Sequence, residues 1–224
     1  MPEGLPDFSD GFDVYAGWEI TRKGDNSLTP EQNRLLAYGA PLFLYNDDNV
    51  DSLESTAGTD TLKEMLEEWW EVTDRKSALE TISWLLNEGQ HAGADPALTE
   101  IRQRGIEAIT EEEKADEDSK IGDAFTIAEF VMGVNETTEA DLPETVLAWD
   151  LVRAVNMARW AFICGYINED EMWEAIRTTA GIAKESFNSW EEYGNSFAVG
   201  RGIWRGETDD YETADEVVGA LLNK

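Results

Sequence analysis

A chain of 224 residues with 42% hydrophobic residues, nine tryptophans and eight phenylalanines can bury a sizeable core, which excludes a disordered protein. Its 48 acidic and 17 basic residues give a formal net charge of −31, so nucleic-acid backbones and anionic membranes would repel it. The single cysteine, Cys164, excludes an internal disulfide framework.

The acidic charge and the N-terminal sequence bear on location and partners. MPEGLPDFSDGFDVY has neither the basic nor the apolar region of a signal peptide, and no apolar run approaches the roughly 18–20 residues of a membrane-spanning helix. We therefore expect a soluble cytoplasmic protein that binds neither nucleic acid nor membrane. The charge itself has two interpretations, a solubilising or salt-adapted surface and an acidic face that meets a basic partner protein or mimics DNA.

The first part of the chain predicts an arm followed by a helical domain. Residues 1–27 are rich in Pro, Gly and Asp with scattered aromatic side chains, and we predict an irregular N-terminal arm that docks through those aromatics. Residues 28–224 are predicted to form a single domain. Thr29 is a helix N-cap signal before Pro30, and the short helix that they open is expected to end before Gly39.

Two polar segments are predicted to lie outside the helices. Segment 46–60 has Asp and Asn at alternate positions, as a calcium loop does, but an EF-hand needs Gly and Glu where this chain has Ser52 and Gly58. We therefore predict a polar loop. The acidic run 111–120 carries too many like charges to pack, and we predict a solvated linker or an exposed helix end.

The remaining elements are predicted to be helices, because apolar residues recur at helical spacing between cap signals. Asp74, Asn168 and Ser189 are the expected N-caps, and Gly89 and Gly165 are the expected stops. No strand-type alternation persists, so we predict an all-α, single-domain helical bundle of about eight helices. The other predicted helices are 62–70, 75–88, 96–108, 121–134, 141–166 and 213–222.

The predicted helix 141–166 carries polar residues in its most apolar part. The pattern Asp141-x-x-Glu144 is a capping box that would open it. Within it, side chains spaced four, three and four residues apart share one face of the helix. These are Trp149, Arg153, Asn156 and Trp160, and Asp150 is a ready partner for the arginine.

A second face of this kind follows in the helix opened by Ser189, with Trp190, Tyr193, Gly194, Phe197, Arg201 and Trp204. Gly194 and Ala198, four residues apart, are predicted to let a neighbouring helix approach closely. If the two faces meet, two guanidiniums converge among four tryptophans. One interpretation is a buried ion-pair and amide network that fixes helix register. The other is a pocket for a small anion. The candidate ligand-binding residues are Trp149, Asp150, Arg153, Asn156, Trp160, Tyr193 and Arg201.

Metal and cofactor motifs give no positive signal. One histidine and one cysteine cannot make a common zinc site, and Glu88-x-x-His91 is half of a diiron motif whose second histidine is missing. We predict no cofactor and no such metal site, although the many acids leave an all-carboxylate Mg²⁺ or Ca²⁺ site open. His91 is predicted to be a C-terminal helix residue stabilised by the helix dipole.

Two stretches resemble a known family. WWEVTDRKSALETISWLLNEGQH (69–91), and LAWDLVRAVNMARWAFICGYINEDEMWEAI (147–176) with SWEEYGNSFAVGRGIW (189–204), are similar to the bacterial domain of unknown function 1266. The resemblance covers most of residues 62–206, the family-like core, and leaves the N-terminal arm outside. It implies a bacterial source and no established activity.

Three hypotheses for function follow. The first is a non-enzymatic binding or interaction module, with a small anion pocket around Arg153 and Arg201. The second is an acidic inhibitor or immunity-type protein that covers a basic partner. The third is an enzyme that uses Asp150 or His91 as a base, which would need a second reactive group nearby. The sequence favours a protein without catalytic residues.

Overall fold

The computed structural model describes residues 14–15, 17–24 and 26–222, and the described chain is all-α apart from one short strand pair. Eight of its α-helices, α3 to α5 and α7 to α11, have twelve residues or more, which agrees with the predicted bundle. The α-helices are α1 Pro30–Leu36, α2 Ala40–Tyr45, α3 Thr59–Trp70, α4 Arg75–Asn87, α5 His91–Arg104, α6 Glu111–Lys114, α7 Ile121–Asn135, α8 Leu147–Ile163, α9 Glu169–Ser186, α10 Trp190–Arg205 and α11 Thr208–Leu221. Short 3₁₀ helices cover Ala37–Gly39, Ile106–Ala108 and Glu139–Asp141.

The N-terminal region contains two strands that the sequence did not predict. β1 (Val14–Tyr15) and β2 (Trp18–Glu19) pair antiparallel. The Trp18 ring stacks on Tyr45 with 6.2 Å between centroids, and its indole Nε1 donates to Glu216 of α11 at 3.1 Å. The described end of the arm is therefore held against α2 and α11. Of the other aromatic residues predicted to dock the arm, Tyr15 belongs to β1, and Phe8 and Phe12 lie outside the described residues.

Helix α8 lies at the centre of the bundle, and every residue from 148 to 161 is buried. It packs against α4, α9 and α10, which explains a helix that is apolar on nearly all sides. Its predicted start was wrong. Asp141 belongs to a 3₁₀ turn capped by Thr138, and the N–H of Val146 donates to Asp95 at 2.8 Å before α8 begins. The predicted stop at Gly165 is confirmed by its φ of +75°.

Glycines on α10 allow its neighbours to approach closely, as predicted. A Cβ on Gly194 would overlap the side chain of Val218 on α11. A Cβ on Gly200 would lie 2.7 Å from the Cβ of Trp149. The close approach at Gly200 places α10 directly against the start of α8, where the predicted site residues lie.

Several predicted N-caps are confirmed, and some helix starts were wrong. The Asp74, Asn168 and Ser189 side chains each accept a hydrogen bond from the backbone N–H three residues later. The chain stays helical through Gly39 into α2, because Pro41 lies in the first turn, where no N–H is needed. α11 begins at residue 208 rather than 213. In the part of the chain that is described, no helix is long and apolar enough to cross a membrane.

Candidate functional site

Asp150 is the centre of the polar cluster on α8, and its side chain is 0% exposed. Its carboxylate accepts hydrogen bonds from the backbone N–H of Gln90 at 3.0 Å and from that of His91 at 2.8 Å. The His91 ring bonds to it through Nδ1 at 2.7 Å, and the Arg153 guanidinium pairs with it. A carboxylate from α8 therefore caps the N-terminus of α5, sixty residues earlier in the chain.

The prediction for His91 was wrong, because His91 is the first residue of α5 and not the last of α4. The helix α4 ends as predicted before Gly89, whose φ is +51°. The chain can restart a helix at once because Asp150 supplies the acceptor for the exposed N–H groups. Asp150 and His91, considered separately as bases from the sequence, form one hydrogen-bonded pair.

The electrostatics of the pair follow from its surroundings. The hydrogen bond that the His91 ring donates to the Asp150 carboxylate raises the pKa of His91, and partial burial of the ring opposes that shift. Burial acts to raise the pKa of Asp150, but the His91 hydrogen bond and the Arg153 charge hold it below its ordinary value. The carboxylate is therefore ionised at neutral pH, and the cluster favours a protonated His91.

The His91 pKa can be measured directly because His91 is the only histidine in the chain. We expect an NMR titration of its ring to give a pKa above 6.5. Since the folded-state pKa lies above the unfolded one, the stability from this pair is fully present below pH 6.5 and is lost as the pH rises through the folded-state value. A pKa at or below 6.5 would contradict the hydrogen bond with Asp150.

Gly89 gives a second prediction, because its backbone needs a positive φ and its hydrogen points at Asp150. A Cβ on Gly89 would lie less than 3.0 Å from the Asp150 carboxyl group. We expect Gly89→Ala to lower the free energy of unfolding by about 3 kcal/mol, from backbone strain and displacement of a buried charge. Gly165→Ala is the matched control, since Gly165 has φ +75° and open space around it. It should cost only about 1–2 kcal/mol, measured by urea unfolding.

Arg153 on α8 and Arg201 on α10 both approach the ring of Trp149, so the two helix faces described from the sequence do meet at this ring. The guanidinium carbon of Arg153 lies 4.6 Å from the Trp149 centroid, and that of Arg201 lies 5.5 Å from it. The centroid of the Trp204 ring, on α10, lies 5.5 Å from that of the Trp149 ring. Where α8 and α10 meet, the side chains of Trp149, Arg153 and Arg201 are buried or nearly so, and that of Trp204 is 38% exposed.

Each guanidinium also has its own carboxylate partner. Arg153 pairs with Asp150, and its Nε donates to the Trp149 carbonyl at 3.3 Å. Arg201 pairs with Asp210 at 2.7 Å and donates to the Tyr45 hydroxyl at 2.7 Å. The two charges are thus compensated within the fold, which is the geometry of a network that fixes helix packing.

The other predicted site residues make contacts between helices. The Asn156 amide donates to the carbonyls of Gly39 at 3.1 Å and Val152 at 2.8 Å. The Tyr193 hydroxyl donates to the Tyr38 carbonyl at 2.8 Å. Trp160 is buried within α8. Asn156 and Tyr193 therefore hold the 37–40 segment rather than lying beside the two guanidiniums.

One buried ion pair escaped sequence reasoning. Arg159 is fully buried, and its guanidinium pairs with Asp48 at 2.9 Å in the predicted polar loop. It also donates to the carbonyls of Leu53 and Glu54. Asp48 in turn accepts from the N–H of Thr56 at 2.7 Å. The loop is confirmed as polar, but one of its acids is a core residue, which no local pattern indicated.

The sequence also did not predict one exposed tryptophan. Trp69, at the end of α3, is 76% exposed, the most exposed large hydrophobic side chain among the described residues. A tryptophan in an amphipathic helix is usually assigned to the core, so sequence spacing gave no signal for it. Across the described residues, no group of three or more His, Cys, Asp or Glu side chains is placed to hold a metal ion.

Fold and site together define an all-α protein whose central helix is held by buried ion pairs. The family model described as "Protein of unknown function (DUF1266)" matches residues 65–223, so this chain belongs to that family. The resemblance predicted from the sequence is confirmed. No curated protein and no solved structure matches the chain.

Proposed function

We propose that this protein is a non-enzymatic interaction module that binds a basic segment of a partner protein. The binding site is the surface formed by Trp69 with Met65, Glu64, Glu68 and Glu71, which we call the Trp69 surface. The observation that carries the proposal is the 76% exposure of the Trp69 side chain. Tryptophan is enriched at the energetic centres of protein interfaces, because its large ring contributes much binding energy when a partner covers it.

The neighbours of Trp69 determine what chemistry it can bind. At 100° per residue, Met65 lies about 40° from Trp69 around α3, whereas Glu68 and Glu64 lie about 100° and 140° away on the exposed side of the helix. Glu64, Glu68 and Glu71 are exposed and have no basic partner at ion-pair distance in the described chain. An uncovered aromatic ring with unpaired carboxylates on the same helix and at its end favours a lysine- or arginine-rich segment, through cation–π attraction at the ring and ionic attraction to the acids.

Total charge alone does not select this surface. Exposed carboxylates also occur on α9, on α11 and in the 111–118 segment, so the negative charge is distributed around the molecule. What distinguishes α3 is the uncovered ring among the acids. The net charge of −31 also disfavours a second copy of this chain as the partner, since two such surfaces repel each other.

A titration with an oligo-arginine peptide, followed by calorimetry, tests the proposal. We expect Trp69→Ala to weaken binding about fivefold, the loss of roughly 1 kcal/mol of cation–π attraction. Its unfolding free energy should change by less than about 0.5 kcal/mol, because the ring is exposed. Val134→Ser is the matched control, since Val134 is an exposed apolar residue on α7, and it should bind like the parent. Equal affinities for all three proteins would reject the Trp69 surface.

A second candidate is the predicted anion pocket around Arg153 and Arg201. The observation that favours it is that Trp149 Nε1 and Arg201 Nε are buried without a hydrogen-bond partner among the described atoms. A small carboxylate could accept from both. Calorimetry with citrate and phosphate, on the parent and on Arg201→Gln, tests this candidate. Binding that the substitution abolishes would support it, and no measurable heat in the parent would reject it.

A further inference from the structure

A cavity of about 360 Å³ lies between α5, the segment that precedes α8 and the start of α10. This volume is in the roughly 300–1,000 Å³ range of small-molecule sites. None of its lining residues belongs to α3, so it is separate from the Trp69 surface. The charged groups that line it are one guanidinium, from Arg102, and three carboxylates, from Asp141, Glu144 and Glu192.

Arg102 is incompletely satisfied within the protein. Its Nε is buried and has no hydrogen-bond partner in the described chain. One outer nitrogen contacts Glu144 Oε1 at 3.5 Å, which is long for a hydrogen bond, and Glu144 itself lies largely in solvent at the rim. The outer nitrogens of the guanidinium, rather than the buried Nε, therefore keep N–H donors that a ligand carboxylate can use.

Two of the three carboxylates are fixed by the backbone around them. Asp141 accepts from the N–H of Thr138 at 3.0 Å, and Glu192 accepts from that of Asn188 at 2.8 Å. One turn beyond Glu192 on α10, the amide of Asn195 lines the cavity and makes no hydrogen bond within the described chain.

The wall opposite α10 is also held rigidly. Asp95 accepts from the Thr145 hydroxyl at 2.6 Å and from the Val146 N–H at 2.8 Å. Asp95 precedes Arg102 by seven residues, so both lie on one face of α5. The helix that carries the guanidinium thus also fixes the segment that carries Asp141 and Glu144. Preorganisation of this kind lowers the entropic cost of binding.

We propose that this cavity binds a small zwitterion of the amino-acid class. The ligand carboxylate pairs with Arg102, and its ammonium group lies among the three acids. A simple anion would be repelled by three carboxylates, and a simple cation would leave the Arg102 donors unsatisfied beside it. A molecule that carries both charges satisfies both sides, and Asn195 can bond to either end.

Thermal unfolding in the presence of each of the twenty standard L-amino acids, followed by calorimetry, identifies a bound one. We expect at least one to raise the unfolding temperature of the parent protein. For that amino acid, the methyl ester removes the carboxylate and the N-acetyl form removes the ammonium group. Each should bind at least about tenfold more weakly, because each loses a charge-assisted contact.

Variants locate the binding within the cavity. Arg102→Gln should weaken binding about tenfold or more, and Asn195→Ala should weaken it less. The matched control is Arg177→Gln, since Arg177 is an exposed arginine on α9 that does not line the cavity. If Arg102→Gln does not fold, the proposal is tested by the binding of the methyl ester and the N-acetyl form to the parent protein, together with the binding of the amino acid to Asn195→Ala. No temperature rise with any amino acid, or an ester and an acetyl form that bind as tightly as the amino acid itself, would overturn the proposal.

Discussion

Asp150→Asn is expected to lower the free energy of unfolding by about 3–5 kcal/mol, the largest effect we predict for one substitution at the polar cluster. The side chain is completely buried, and its charge is the partner of Arg153 and of the His91 ring. An asparagine keeps the shape but leaves the Arg153 charge uncompensated in the core. It also gives the N-terminus of α5 a weaker cap. Urea unfolding at neutral pH measures the loss.

Two readouts distinguish this explanation from a general loss of packing. The His91 pKa should fall towards or below 6.5 in Asp150→Asn, because the hydrogen bond that raises it is gone. Asp170→Asn, at an exposed position on α9, is the control and should change stability by less than about 0.5 kcal/mol. A loss below about 1 kcal/mol for Asp150→Asn would mean that the carboxylate is not the centre of the network.

Arg159→Met is expected to cost about 3–5 kcal/mol, because it leaves Asp48 as a buried carboxylate without a cation. Burial acts to lower the pKa of Arg159, and the Asp48 charge opposes that shift, so each group makes the other tolerable in the core. The substitution also frees the loop carbonyls of Leu53 and Glu54. We therefore expect the loop to become more susceptible to proteolysis as stability falls.

A double-mutant cycle tests whether the loss of stability comes from breaking the Arg159–Asp48 ion pair or from losing the Arg159 side chain alone. Combining Asp48→Asn with Arg159→Met removes both charges. The double variant should recover roughly half or more of the unfolding free energy that Arg159→Met alone loses. Recovery will be incomplete, because no side chain then bonds to the two carbonyls. Simple additivity of the two single losses would contradict coupling across the 2.9 Å ion pair.

Features that depend on neighbours in the sequence were predictable. Asn168 and Ser189 open their helices because each side chain bonds to an N–H three residues away. The glycines of α10 likewise indicated close packing, since only a missing Cβ lets Val218 and Trp149 approach. The all-α class followed from the helical spacing of apolar residues, and the structure agrees.

Features that depend on distant residues were not predictable. Asp141-x-x-Glu144 has the pattern of a capping box, yet the helix starts later because Asp95, far back in the chain, takes the Val146 N–H. His91 begins α5 because Asp150 supplies its acceptor. Asp48 looked like one loop acid among several until Arg159 was placed beside it. The spacing of polar residues along the sequence indicates only hydrogen bonds between near neighbours in the chain.

The polar residues of α8 thus have partners within the fold, and our proposal is that binding occurs at the exposed Trp69 surface. The most direct test inserts a photo-crosslinking amino acid at position 69, and at position 134 as control, in cells that make the protein. We predict a crosslink from position 69 alone, to a Lys/Arg-rich segment of another protein. It should be competed by oligo-arginine and lost when Glu64, Glu68 and Glu71 are changed to glutamine. The same products from both positions, or products at 69 that persist without these acids, would contradict the account.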